Sequence, residues 1–262
     1  MKFIHTADWQ LGKPFARVED EDKRSIVRQE RFMAVQRIGE LVRQKEVSFV
    51  LVAGDLFDSN TANKSTVSNA CSMIGKLGVP CLVIPGNHDH GGQDSMWESD
   101  FFLHEKEALA PNLRLLLDRE PCVLDEAVIF PCPLLNRLEQ LDPTSWLRNP
   151  EIFDSIPFDK PRILLAHGST QQFDSADDEE DDNNHHSNLI HLERLPLGEF
   201  DYIALGDWHG TKQVNEKAWF SGTPERDRFP KGESNHPGHV LVVEANRGET
   251  PVAERVQTGR LR

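Results

Sequence analysis

The sequence predicts an α/β fold built from mixed β-sheets, and three observations support this class. Short continuous apolar runs, which are typical of strands buried on both faces, recur along the chain. In the first half these runs alternate with stretches whose apolar residues repeat at three- and four-residue spacing, which indicates amphipathic helices. In the second half strand-like runs dominate. A layered fold with mixed sheets accommodates this order better than a purely parallel sheet does.

The elements follow in order from these patterns. Helices are predicted at residues 21–44, 63–76 and 96–108. In the first of them the apolar positions are Ile26, Phe32, Met33, Ile38, Leu41 and Val42. Strands are predicted at residues 2–7, 48–53, 81–85, 113–117, 122–124, 127–130, 162–166, 202–205, 218–221 and 240–244.

Composition and charge exclude several classes of protein. The net charge of −14 argues against a broad basic surface that binds duplex DNA through counterion release. The sequence has no run of about 18 apolar residues, so no membrane span is predicted. The N-terminus enters a strand pattern without a signal peptide, and a cytoplasmic protein is therefore expected. The cysteines, which show no CxxC spacing, are interpreted as reduced structural thiols.

One segment departs from globular composition. Residues 171–188 contain the acidic run Asp177 to Asp182 and almost no apolar residues, which predicts a mobile loop inserted in a single domain spanning residues 1–262. His185 and His186 follow the acidic run and leave adventitious cation binding open, although a solvated loop is the favoured interpretation.

Polar motifs follow five of the predicted strands. They are Asp8-Trp9-Gln10, Gly54-Asp55, Gly86-Asn87-His88-Asp89, His167-Gly168 and Gly206-Asp207-Trp208-His209. In open α/β sheets, sites form beyond the carboxyl ends of the strands, and glycine permits the tight turns that aim side chains into such a cleft. We therefore expect these residues to converge.

The donor types indicate a metal site. Carboxylate, amide and imidazole groups without cysteine suit manganese, iron, zinc or magnesium, and two such ions can hold a phosphate and activate water. Asp55 is the natural bridging carboxylate. Each motif alone also has a structural explanation, such as a turn at Asp8 or a core histidine at His167, but their joint occurrence favours a site.

These motifs resemble those of the calcineurin-like binuclear metallophosphoesterase superfamily. The sequences His5-Thr6-Ala7-Asp8, Gly54-Asp55-Leu56-Phe57-Asp58 and Ser221-Gly222-Thr223-Pro224 further resemble the SbcD-like DNA repair exonuclease branch. The resemblance covers residues 1–245 and implies a four-layer α-β-β-α sandwich, in which two mixed sheets pack face to face between helices.

The resemblance also implies roles for the motif residues. The first metal would take Asp8, Gln10, Asp55 and His209, and the second would take Asp55, Asn87, His167 and Asp207. A metal-bridging hydroxide would attack the phosphorus, and His88 would protonate the leaving oxygen or stabilise the transition state, with Asp89 holding its imidazole.

Two positions depart from the family pattern. Position 10 is Gln where the family ordinarily has His, and position 207 is Asp where it ordinarily has His. This oxygen-rich ligand set favours manganese or magnesium and weakens metal binding at the first position. A single-metal or catalytically impaired site is the alternative to two functional ions.

DNA is the substrate that the resemblance implies. Trp9 and Trp208 are candidates for stacking on unpaired bases, although packing beneath the ligand loops is favoured for each. Arg226, with Arg228 and Lys231, is a candidate for phosphate contacts, and a solvated loop explains these residues equally well.

The same resemblance implies a coiled-coil ATPase partner and a homodimer, although this sequence leaves little room for the additional domains of that branch. Two rival functions remain open: a phosphoesterase for nucleotides or cyclic nucleotides, and a binding module built on a degenerate site.

Overall fold

The computed structural model describes residues 1–170, 187–227 and 236–261 of the chain. In these residues the strands are, in chain order, β1 (Lys2–Thr6), β2 (Phe49–Ala53), β3 (Cys81–Ile84), β4 (Leu113–Leu115), β5 (Cys122–Val123), β6 (Val128–Cys132), β7 (Arg162–His167), β8 (Ser169–Thr170), β9 (Leu189–Ile190), β10 (Tyr202–Gly206), β11 (Lys212–Gln213), β12 (Ala218–Phe220), β13 (His239–Glu244) and β14 (Val252–Gln257). The α-helices are α1 (Glu21–Lys45), α2 (Lys64–Gly75) and α3 (Asp100–Leu109). Short 3-10 helices lie at Met96–Glu98, Ser145–Arg148, Pro150–Phe153, Leu192–Arg194 and Leu197–Glu199.

Two six-stranded mixed sheets form the centre of the molecule. The first has the order β14-β13-β1-β2-β3-β4, and the second has the order β11-β12-β10-β7-β6-β5. In the first sheet β1 to β4 run parallel, while β13 is antiparallel to β1 and β14 to β13. In the second, β12, β10, β7 and β6 run parallel. The parallel strands of each sheet therefore end at a common edge.

The sheets pack face to face around a shared core. Phe3 and Leu51 of the first sheet and Ile163 and Tyr202 of the second belong to one fully buried cluster. The outer face of the first sheet is covered by helices, with Ile38 of α1 among the buried residues. On the outer face of the second sheet, the covering residues come from 3-10 helices and loops, and they include Leu147, Ile156, Leu192 and Leu195. The predicted fold class is confirmed.

The helices begin where side chains cap the first free amides. Asp20 accepts a hydrogen bond from Lys23 N at 3.0 Å, and α1 begins at the next residue. Ser99 caps Phe102 N at the start of α3, so the α-helix begins four residues after the predicted start at residue 96. None of the helices in the described ranges is long and apolar enough to span a membrane.

One strand has no counterpart among the predictions. β14 pairs with β13 along six residues at the edge of the first sheet. Its side chains are mostly exposed and two of the six are charged, so it contains no apolar run by which it could be recognised. The predicted acidic loop lies outside the described residues except for Ser187 and Asn188, and the single-domain organisation stays a prediction.

Candidate metal centre

The predicted polar motifs converge at one edge of the two sheets. Asp8, Asp55 and Asn87 follow β1, β2 and β3, and His167 and Asp207 lie at the ends of β7 and β10. The two sheets are tied together here because His167 Nδ1 lies 2.8 Å from the carbonyl oxygen of Ala53 at the end of β2.

The backbone at these strand ends takes an uncommon conformation. The φ angles are 54° at Asp8, 42° at Gln10, 54° at Asp55 and 103° at Asp207, all in the region that favours glycine. Asp8 N and Gln10 N donate to Gly54 O and Asp55 O at 3.1 and 2.8 Å, which holds the first two loops together. Such strained positions persist only where the surrounding structure determines them, and they cluster at functional sites.

Three buried ligand groups form the centre of the site. One oxygen each of Asp8 and Asp55 and one ring nitrogen of His167 lie within 4.8 Å of one another. The Ala53 carbonyl can only accept, so His167 Nδ1 carries a proton there and Nε2 is the ring atom that faces the site. This Nε2 lies 2.9 Å from Asn87 Oδ1 and 3.7 Å from oxygens of Asp55 and Asp207.

The carboxylates crowd one another. Asp207 N donates to both carboxylate oxygens of Asp8, at 3.2 and 3.3 Å. Burial raises the pKa of Asp8 well above its usual value, and the charges of Asp55 and Asp207 raise it further. A bound divalent cation would offset this excess of negative charge.

His88 faces the site with its ring oriented by the backbone. Its Nδ1 lies 2.9 Å from the carbonyl oxygen of Asp58, and its Nε2 lies 3.9 Å from Asp55 Oδ2. Burial lowers the pKa of His88, but Asp55 and the bond to Asp58 outweigh it and the net shift is upward. The side chain remains 34% exposed, so it is accessible to a substrate.

The structure does not show the expected contact between Asp89 and the His88 imidazole. The two Asp89 oxygens accept from Phe57 N at 2.9 Å and Gly86 N at 2.8 Å, which shapes the turn that follows β3. The carbonyl oxygen of Asp58 supplies the orienting contact instead.

Gln10 and His209 lie on the side of Asp55 expected for the first metal. Gln10 Nε2 lies 3.4 Å from both Asp55 Oδ2 and His209 Nε2, and His209 Nδ1 lies 2.8 Å from Asp227 Oδ2. Gln10 Oε1, the atom expected to bind this metal, accepts instead from Lys13 Nζ at 2.7 Å.

The candidate substrate contacts have different outcomes. Trp9 is 1% exposed and donates from Nε1 to Thr6 Oγ1 at 2.9 Å. Its ring is therefore packed beneath the loop, as the favoured interpretation expects, and is not exposed for stacking on a base. Trp208 is half-buried, with Lys212 Nζ 5.2 Å from its ring centroid, and its stacking role stays a prediction. The role of the half-buried Arg226 is likewise untested, and Arg228 and Lys231 lie outside the described residues.

Several residues that support the site were missed from the sequence. Arg31 of α1 donates from Nε to Trp9 O at 2.8 Å and from Nη2 to Asp8 O at 2.9 Å, and the Thr223 hydroxyl donates to the same Asp8 oxygen at 3.0 Å. Arg31 occupies the buried face of α1, where a charged residue three positions before Ala34 was an available signal. Lys13 and Asp227 carried no comparable signal.

Buried oxygen and nitrogen donors at the strand ends of two facing mixed sheets form a centre suited to a divalent metal ion. The chain belongs to the calcineurin-like phosphoesterase family, whose model matches residues 1–231. That family uses divalent metal ions, and Asp8, Asp55 and His167 fit one because their buried ligand atoms lie within 4.8 Å of one another.

Two relatives and one solved structure are similar to the chain. It is 26% identical over 243 residues to the DNA double-strand break repair protein Mre11 of Methanosarcina acetivorans, a match that covers 89% of the chain and 35% of that protein. It is 23% identical over 262 residues to the SbcD subunit of the nuclease SbcCD of Staphylococcus epidermidis, covering 94% of the chain and 67% of that protein. The crystal structure of TT1561 from Thermus thermophilus matches with a TM-score of 0.54 and 12% identity, covering 98% of each chain, and supports the fold alone.

Proposed function

We propose that the protein is a DNA phosphodiesterase, a nuclease that uses divalent metal, with Mn²⁺ as the preferred ion. The observation that carries this proposal is the convergence of Asp8, Asp55 and His167, with the accessible imidazole of His88 beside them. The names of the two relatives, a DNA break repair protein and a nuclease subunit, support DNA as the substrate. The name of the second relative, one subunit of a nuclease, supports a partner subunit, and the family resemblance adds an ATPase and a second copy of the chain as partners to test.

The residues of the site have two roles in the proposed hydrolysis: binding of the metal ion and proton transfer. A divalent ion held by Asp8, Asp55, Asn87, His167 and Asp207 would neutralise phosphate charge and lower the pKa of water. His88 would donate a proton to the leaving oxygen, and the upward shift of its pKa favours the protonated form that this role requires. The bond from Nδ1 to the Asp58 carbonyl leaves Nε2 as the atom that faces the substrate.

A basic cavity beside the metal centre supports a polymeric substrate. This cavity has a volume of about 320 Å³ and is lined by Gly12, Lys13, Pro14, Arg28, Arg31, Phe32, Asn63 and Thr66. Its lining includes three cationic side chains and no carboxylate, in a chain whose net charge is −14. A nucleic acid strand whose scissile phosphate lies at the metals could place a neighbouring phosphate here.

The test compares three substrates with the metal-reconstituted protein: single-stranded DNA, a cyclic nucleotide and bis-p-nitrophenyl phosphate. We expect Mn²⁺-dependent cleavage of DNA with the highest kcat/KM. His88→Ala should lower kcat by about 10²–10⁴-fold, as expected for removal of a general acid. His104→Ala, which removes an exposed histidine on α3, is the matched control and should have no effect.

Each outcome separates the candidate functions. Preference for the cyclic nucleotide would replace the nuclease with a small-molecule phosphoesterase, which the acidic charge balance also allows. Full activity in His88→Ala would contradict the proton-transfer role. No turnover with any metal would leave the binding module as the function to pursue.

A further inference from the structure

The amide group of Gln10 has a defined orientation at the first metal position. An ammonium group donates hydrogen bonds and accepts none, so the atom 2.7 Å from Lys13 Nζ must be the amide oxygen. The amide nitrogen consequently faces Asp55 Oδ2 and His209 Nε2, both at 3.4 Å. A nitrogen that carries two hydrogens has no lone pair for a cation, so Gln10 presents the wrong atom to a metal at this position.

Lys13 is held in place by a second contact on the same side of the site. Its Nζ lies 3.4 Å from Asp227 Oδ2, and the same oxygen lies 2.8 Å from His209 Nδ1. Asp227 is 3% exposed at its side chain, so its carboxylate is held inside the site between Lys13 and His209. Lys13, Gln10, His209 and Asp227 thus form one connected group of polar contacts.

We infer that Lys13, by binding the amide oxygen of Gln10, prevents a metal ion from binding at the first position, so that the chain holds one divalent ion, at Asp8, Asp55, Asn87, His167 and Asp207. This inference rests on the proposed function and specifies how many metal ions its site holds. The orientation of Gln10 removes one of the four ligands expected for the first ion, and the Lys13 ammonium places a positive charge beside that ligand.

The charge of Lys13 also disfavours a second ion. Its ammonium group lies 2.7 Å from Gln10 Oε1, so a divalent ion bound by that oxygen would be repelled directly by Lys13.

The test measures metal stoichiometry and needs no turnover. Metal-free protein is titrated with Mn²⁺ by equilibrium dialysis, and the bound ions are observed by electron paramagnetic resonance, which distinguishes isolated Mn²⁺ from a coupled pair. We expect one isolated ion per wild-type chain. The double variant Gln10→His, Lys13→Met should bind a second ion at least about tenfold more tightly than wild type does and show the coupled signal.

Two further variants separate charge at the site from charge elsewhere. Lys13→Arg keeps the cation and should keep the stoichiometry at one, while Lys23→Met, which removes an exposed charge from α1, should behave as wild type. Two ions of similar affinity in the wild type, or a single ion in the double variant, would overturn the inference. A wild-type chain that binds one ion but hydrolyses no phosphodiester would instead overturn the proposed function and leave this inference standing.

Discussion

Substituting Gly206 with alanine tests how closely the two sheets must approach to form the site. A Cβ atom at residue 206 would lie 1.8 Å from the Ala53 carbonyl oxygen and 2.8 Å from His167 Nδ1. Carbon normally approaches a carbonyl oxygen to about 3.3 Å, so the sheets would have to separate by roughly 1.5 Å. The bond between His167 Nδ1 and the Ala53 oxygen, 2.8 Å in the native structure, would not survive this movement.

The expected cost follows from these two effects. Overpacking a core position costs about 1–3 kcal/mol, and leaving a buried polar group without a partner costs about 1–3 kcal/mol more. Urea unfolding of the metal-free Gly206→Ala variant should therefore show a loss of at least about 2 kcal/mol. Because the Ala53 carbonyl fixes the His167 ring, Mn²⁺ affinity should also fall by about 10–100-fold in a dialysis measurement.

Gly198 provides a matched control for this substitution. A Cβ there has no heavy atom within 4 Å, and the residue has no positive φ that alanine would strain. Gly198→Ala should leave both the unfolding free energy and the Mn²⁺ affinity close to the wild-type values. If Gly206→Ala behaves in the same way as Gly198→Ala, the close packing of β10 against the end of β2 does not position His167, and the reasoning is refuted.

Two further predictions concern the basic cavity and the buried histidine of β1. Arg28 lines the cavity and donates to Pro14 O at 2.7 and 3.1 Å, so Arg28→Ala should raise KM for an oligonucleotide by roughly fivefold and leave KM for bis-p-nitrophenyl phosphate unchanged. An equal rise for both substrates would show that the cavity binds no second phosphate. Burial lowers the pKa of His5 to about 3, against a bond to Leu205 that raises it, so the folded state keeps His5 neutral while the unfolded chain binds a proton below about pH 6.5. The stability that His5 contributes above pH 6.5 is therefore lost as the pH falls, by about 2 kcal/mol at pH 5. Asp89, whose pKa burial raises to about 7, titrates over the same range in both proteins, so the comparison is with His5→Gln. Between pH 7.5 and 5, urea unfolding should show a change about 2 kcal/mol less favourable to folding in wild type than in His5→Gln, and an identical pH dependence in the two proteins would contradict this.

The general position of the site was predictable from the sequence because the ligand residues directly follow the strands that position them. Each ligand motif directly follows an apolar run, and the carboxyl ends of parallel strands share one edge. Asp8, Asp55 and His167 therefore come together as expected. The glycine before Asp55 was also informative, since the φ of Gly54 is 87° and a side chain there would collide with His167.

The roles of residues beside these motifs were less predictable because exposure depends on distant packing. Trp9 follows a candidate metal ligand in sequence, yet it is buried beneath the loop and bonded to Thr6. Asp89 follows His88 directly, but the turn directs its carboxylate to backbone amides rather than to the imidazole. Neighbouring positions in a turn point in different directions, and the motif alone does not state which direction each takes.

The sequence by itself determined the fold class, the order of the strands along the chain and the donor groups placed at the strand ends. It could not determine what those donors contact, since the partners are distant in sequence. Lys13 reaches Asp227, 214 residues away, and through this contact and its bond to Gln10 it decides which amide atom faces the site. Only the tertiary structure brings these charges together, because hydrogen bonds and electrostatic attraction at short range depend on distances that the order of residues does not specify.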